Sequence, residues 1–144
     1  MPISLIILDI DQFKQYNDSH GHPEGDRILS SVGHILTENG RDTDIACRIG
    51  GEEFAIILTN TDKSVSKKVC ERIKQSFSHF QWTNEPVTAS LGVASMHIKL
   101  EGKVTAQLWE NLYKDADKAL YFSKENGRNK YHHYDDIRAY LSGT

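Results

Sequence analysis

The stretch ISLIILDI, residues 3–10, constrains this chain more than any other, because it is short, almost wholly apolar and rich in β-branched residues. A run of that length and composition suits a central strand covered on both faces and ending near Asp9. The sequence around it alternates strand and helix patterns with no linker, repeat or low-complexity segment, so the expected organisation is α/β or α+β. With 144 residues, 38% of them hydrophobic, there is material for one core and not for two.

Helical spacing follows the first strand. DQFKQYNDSHGH reads as a short helix closed by Gly21, and PEGDRILSSVGHILTENG as a longer one with Ile28, Leu29, Val32, Ile35 and Leu36 on one face and a stop at Gly40. DIACRI, GG and EEFAIIL then read as a hairpin, Gly50 and Gly51 supplying the positive φ values of a tight primed turn. Val65, Val69, Ile73, Phe77 and Phe80 mark a third helix. VTASLGVASMHI is a strand in which Gly92 signals a bulge or a close backbone approach. Leu108, Leu112, Ala116, Ala119 and Leu120 mark a fourth helix stopped by Gly127, NKYHHY is a weak last strand, and residues 135–144 read as a polar surface tail.

A formal net charge of -3 with scattered basic residues offers no footprint for nucleic acid or an anionic membrane. The longest apolar run falls far short of the roughly 20 residues a spanning helix needs, and no charged leader precedes it, so the expectation is a cytoplasmic chain with no membrane segment of its own. Cys47 and Cys70 lack metal-type spacing and read as reduced core thiols. Trp82 and Trp109 read as packing residues.

The first strand ends on Asp9 and Asp11, and the hairpin carries Glu52 and Glu53. If strand and hairpin are neighbours, Asp9 meets both glutamates. Gathered carboxylates repel one another and lose hydration, so a fold that collects them neutralises them with cations. Oxygen ligands suit Mg²⁺ or Mn²⁺, which bind one or two carboxylates together with water and substrate phosphates, and a pair of ions about 3.5–4 Å apart would serve phosphoryl or nucleotidyl transfer. Taken alone, the pair reads first as solvated hairpin residues, since short motifs recur by chance. No G-x-x-x-x-G-K-[ST] or G-x-G-x-x-G loop is present, nor a G-x-S-x-G elbow or C-x-x-C pair, which leaves metal and carboxylate chemistry. His20 and His22 lack the third nitrogen or sulfur ligand of a transition-metal site.

Four motifs in order, LDIDQFKQYNDSHGHPEGDRIL, RDTDIACRIGGEEF, ASLGVA and ADKALYFSKENGRNKY, make the chain from about residue 3 to 131 resemble a GGDEF domain, the catalytic domain of bacterial diguanylate cyclases. The resemblance implies a mainly antiparallel five-stranded sheet flanked by helices, similar to nucleotidyl cyclases and polymerase palms, over residues 1–134. It implies condensation of two GTP into cyclic di-GMP with release of two pyrophosphates, between two GTP-loaded copies of the chain. Asp9 and the Ile10 carbonyl would bind metal with Glu52 and Glu53, and Glu52 would take the proton from the attacking 3′-hydroxyl. Phe13 and Lys14 match the phosphate-contacting turn, Lys14 offsetting developing charge. Asn17, His22 and Asp26 match guanosine contacts, and Lys124 and Arg128 match the triphosphate-binding pair. RDTD matches the family's RxxD motif, so Arg41 and Asp44, with Arg72, would bind product and inhibit.

Elementary chemistry agrees with these roles and also leaves plainer ones open. A carboxylate such as Asp26 can accept from both N1 and N2 of guanine. It also suits the start of a helix, and Asn17 suits a turn before Gly21. Lys124 and Arg128, four apart, could clamp a polyphosphate from one helix face or simply oppose the helix dipole. Gly50 and Gly51 would let backbone approach a nucleotide closely. Arg41 and Asp44 suit a guanine dinucleotide or form a solvated charge cluster. The family's usual helix and DxLTGLxNR-like segment ahead of the first strand has no counterpart in MPISLIIL, so the expectation is either a trimmed domain of a longer protein, with a regulatory domain upstream, or a truncated member of the family. A non-catalytic module sensing GTP or cyclic di-GMP is the alternative; the intact GGEEF favours the enzyme.

Overall fold

The computed structural model describes residues 1–99 and 104–141. In chain order the elements are β1 (Pro2–Ile10), α1 (Phe13–His20), α2 (His22–Asn39), β2 (Ile45–Arg48), β3 (Glu53–Thr59), α3 (Lys63–His79), β4 (Ala89–His97), α4 (Ala106–Glu125), β5 (Tyr131–His133) and α5 (Tyr134–Leu141). The strands form one sheet in the order β2-β3-β1-β4-β5. β1 runs antiparallel to β3 and β4, and only the β4–β5 pair is parallel. This is the five-stranded, mainly antiparallel sheet flanked by helices that the family resemblance implies.

β1 is apolar throughout because helices cover both of its faces. Ile6, Leu8 and Ile10 pack with Ile28, Val32, Ile35 and Leu36 of α2 and with Val69, Ile73 and Phe77 of α3. Leu5 and Ile7 point the other way, toward Leu112, Ala116 and Leu120 of α4. Alternation along a strand therefore feeds two cores, and an uninterrupted apolar run is what that requires. Val65 and Leu108, counted by periodicity with these faces, sit in first helical turns and stay exposed. Those turns are closed by side-chain caps, Asp62 Oδ1 accepting from Val65 N–H and Thr105 Oγ1 from Leu108 N–H.

Three expectations need correction. Gly50 and Gly51 do not take positive φ values; among the described glycines those belong to Gly21 and Gly127. The connection instead runs through residues 49–52, closed by Ile49 N–H donating to Glu53 O and by the Arg48 guanidinium donating to the carbonyls of Gly50 and Gly51 at 2.9 Å each. A side chain thus stabilises a turn that was expected to rest on glycine conformation. Cys47 is exposed on the edge strand β2, whereas Cys70 is buried, and burial pushes its thiol well up. Residues 134–141 are a helix rather than a tail: Ile137 is 2% exposed, and Lys63 and Lys67 of α3 both pair with Asp136, holding its carboxyl down at about 2. In sequence that helix shows a single core residue among charges, too little for a periodicity to register. The last part of the expected tail, residues 142–144, lies outside the described residues.

Gly92 marks a close approach rather than a bulge, since β4 pairs through it without interruption, Gly92 opposite Ile7. A Cβ there would overlap the main chain of α4 at Ala116, Ala119 and Leu120. Backbone cannot rotate away as a side chain can, so Gly92→Ala should destabilise the domain by about 3 kcal/mol, the upper part of the usual overpacking range. Urea unfolding should show a lower midpoint with an unchanged slope, and an unchanged midpoint would mean that α4 stands off the sheet.

Candidate functional site

The end of β1, the start of α1, the β2–β3 turn and the end of α4 converge on a cleft of about 340 Å³. Its walls include Asp9, Ile10, Phe13, Lys14, Glu52, Lys124 and Arg128. Strand register explains the acids: Asp9 of β1 lies directly opposite Glu53 of β3, and Ile10 N–H donates to the Glu52 carbonyl at 3.2 Å. Phe13 is itself a core residue, 9% exposed, beneath the cleft it borders. Lys14 is exposed one residue further along α1.

Electrostatics here are under tension. Burial raises the Asp9 carboxyl above its ordinary range, and Lys124, whose Nζ lies 2.5 Å from Asp9 Oδ2, opposes that rise without cancelling it. Burial first, and the Asp9 charge second, raise Glu52 and Glu53 as well. Acids that stay raised beside a lysine are carboxylates whose loss of hydration the protein's own cations do not offset. Among the described residues no three His, Cys, Asp or Glu side chains gather closely enough to hold a metal ion by themselves. The donor set is nonetheless all oxygen, partly buried and deficient in cation, which fits a hard ion that takes a few protein oxygens and completes its shell with phosphate and water.

Arg128 reaches the cleft by a route that helical spacing did not foresee. α4 ends at Glu125, so Lys124 and Arg128 do not share a helix face. Gly127, Arg128 and Asn129 instead take φ values of 112°, 61° and 50°, a left-handed turn that is unfavourable for the two non-glycine residues. Asp11 holds it. Its carboxylate accepts from Asn129 N–H at 2.9 Å, Thr88 Oγ1 at 2.7 Å and Ser90 Oγ at 2.6 Å, while Arg128 N–H donates to Ser123 O at 3.0 Å. Asp11 therefore braces the cleft from below.

One turn along α1 from Phe13 and Lys14, Asn17 abuts Gly25 of α2, and Asp26 follows on the exposed surface. His22, the first residue of α2, is exposed one helical turn before Asp26. Asp26 lines a shallow depression with Arg27, Ser30 and Gln81, separate from the acidic cleft. Contacts that the sequence does not disclose fix α1 in place. Asn84 donates to the Tyr16 hydroxyl at 2.9 Å and to Glu24 at 3.2 Å, and His20 pairs with Glu85 at 3.0 Å. No local pattern links residue 16 to residue 84, so only the fold discloses the contact.

Arg41, Asp44 and Arg72 lie apart from both places. Arg41 donates from Nε and Nη2 to the two carboxylate oxygens of Asp44 at 3.1 and 3.0 Å, and further to Thr59 O and Thr61 Oγ1. Burial works to raise Asp44, but hydrogen bonds from Arg41 and the Thr59 N–H outweigh it and leave the carboxyl below its ordinary value. Arg72, on α3, donates to Asn39 O at 3.4 Å, just ahead of this pair.

Residues 1–130 match the family model described as diguanylate cyclase, GGDEF domain. The chain belongs to the GGDEF-domain family. It is 40% identical over 132 residues to diguanylate cyclase A of Treponema denticola, covering 89% of this chain and 34% of that protein. It thus spans well under half the length of the curated relatives it matches. Among solved structures it is similar to the active GGEEF domain of a diguanylate cyclase from Vibrio cholerae, with TM-score 0.82 and 34% identity over 93% of this chain and 83% of that one. It is also similar to the GGDEF domain of DgcB from Caulobacter crescentus in complex with c-di-GMP, with TM-score 0.79 and 33% identity over 93% and 78%. No helix among the described residues of this GGDEF domain is long and apolar enough to cross a membrane.

The raised carboxyls carry a stability consequence. A carboxyl whose folded pKa exceeds its unfolded one binds more protons when folded, so its contribution is greatest below the unfolded value and is lost as pH rises through the folded one. Glu53→Gln should therefore raise the melting temperature at pH 7 by a few degrees, with the gain disappearing below about pH 4, where the wild-type carboxyl is protonated in both states. Thermal scans across that range check the prediction, and a gain independent of pH would place its origin elsewhere.

Proposed function

We propose that this GGDEF domain condenses two GTP molecules into cyclic di-GMP, releasing two pyrophosphates, when two copies meet with their clefts facing. The observation that carries the reading is the joint presence of Asp9, Glu52, Lys14, Lys124 and Arg128 around a single cleft. An acid cluster short of cation beside three basic side chains is suited to a polyphosphate with its counter-ions.

Asp9, the Ile10 carbonyl, Glu52 and Glu53 would hold Mg²⁺ or Mn²⁺, two ions in each site. Such ions supply charge neutralisation on the phosphates and a lowered pKa for an attached hydroxyl. Glu52, at the mouth of the cleft beside Asp9, is the group to accept the proton of the 3′-hydroxyl as the hydroxyl oxygen attacks the α-phosphate of the partner copy's GTP. Lys14, Lys124 and Arg128 offset the charge that builds on the phosphates and on departing pyrophosphate. Lys124, now on Asp9, would turn to the phosphates as the acids gain another counter-ion. Asn17, His22 and Asp26 would select guanine, since a base lacking the matching donors would cover them and leave them unpaired.

Product bound through Arg41, Asp44 and Arg72 would hold two copies in a state where the clefts cannot meet, a coupling of binding free energies. The C. crescentus neighbour solved with c-di-GMP supports a product site. The bidentate Arg41–Asp44 pair must open, or present its outer edge, to admit ligand. An upstream domain would govern the encounter; the curated relatives are long enough to hold further domains.

Glu52→Gln separates a cyclase from a binding module. Product formation from GTP and Mg²⁺, resolved by chromatography with mass detection, should fall at least about a hundredfold, with GTP affinity largely retained. Undiminished turnover would remove Glu52 from its role, and a wild-type chain that binds GTP without forming product would identify a sensor.

A further inference from the structure

We propose that Gly25 is a positioning residue for guanine recognition, acting through Asn17; this rests on the guanine reading of Asn17 given above. Gly25 is the fourth residue of α2, buried, with its N–H already donating to Gly21 O at 3.2 Å in the helical pattern. Its backbone is not left-handed, so conformation does not demand glycine, and within a helix alanine is the better residue. What demands glycine is Asn17. A Cβ on Gly25 would overlap Asn17 Oδ1 and come within 2.8 Å of Cγ and 3.3 Å of Nδ2. The missing side chain is the slot in which the carboxamide lies.

A second, independent observation points to a ligand. Asn17 Oδ1 is the one buried side-chain polar atom among the described residues with no hydrogen-bond partner. Proteins rarely leave such an atom unsatisfied without a reason. Glycine at 25 therefore admits an acceptor that the protein itself does not use, one residue from Asp26. The exocyclic amine of guanine is a donor able to engage it once the carboxamide turns outward, and hypoxanthine lacks that amine. Gly25 thus sets where the carboxamide rests and, through it, the preference for guanine.

The test compares equilibrium binding of GTP and ITP to the full 144-residue chain in the Glu52→Gln background, which suppresses turnover. Adding Gly25→Ala should weaken GTP about tenfold, the scale of one lost hydrogen bond, and leave ITP almost unchanged. The melting temperature should not fall, because alanine favours the helix. In an Asn17→Ala background Gly25→Ala should have no further effect. The inference is overturned if the GTP preference survives Gly25→Ala, if GTP and ITP weaken equally, or if the loss persists without Asn17. A Gly25 parent showing no preference for GTP over ITP would overturn the guanine reading itself and this inference with it, whereas a preference that survives Gly25→Ala overturns this inference alone.

Discussion

The contact between Asp9 and Lys124 organises this molecule. Asp9 is placed by the central strand and buried to 7% exposure. It draws an ammonium from the end of α4 and raises both hairpin glutamates on its other side. A buried carboxylate needs a charge partner or it stays protonated. The strand order puts that need at the sheet's centre: β3 and β4 flank β1, so whatever neutralises Asp9 also touches the signature turn and the last long helix. Cores on both faces fix the strand, and the strand fixes the acid.

Around that point the fold places strain where it aims side chains. The left-handed turn at residues 127–129 carries Arg128 into the cleft and is held by Asp11, whose three acceptor contacts tie β4 and the turn together. Gly92 brings α4 against β4, which brings Lys124 within reach of Asp9. A small residue and a second aspartate thus shape the cleft through the backbone they hold in place.

Much of this was legible in the sequence for a physical reason. β1 is an unbroken apolar run because two layers bury it, and the helices of both layers show their faces in periodicity. Asp9 and Glu53 could be expected to meet because strand ends and hairpin tips are local features, and the register puts them opposite each other. What was not legible depends on long-range packing. Four-residue spacing puts Arg128 on a helix that stops at Glu125, because spacing says nothing of where a helix ends. The glycine pair reads as a primed turn, yet Arg48 closes it through side-chain hydrogen bonds. α5 escaped notice because a single buried residue, Ile137, makes no pattern. Gly25 escaped because its neighbour across space, Asn17, sits on another helix.

The central claim is that the acids around Asp9 are a cation site completed by a nucleotide. Calorimetric titration of Mn²⁺ into the chain saturated with a non-hydrolysable GTP analogue tests it most directly. The account predicts saturable binding that is lost in Asp9→Asn while the fold, followed by circular dichroism, is kept. Equal binding by the wild-type chain and Asp9→Asn, or none by either, would contradict it.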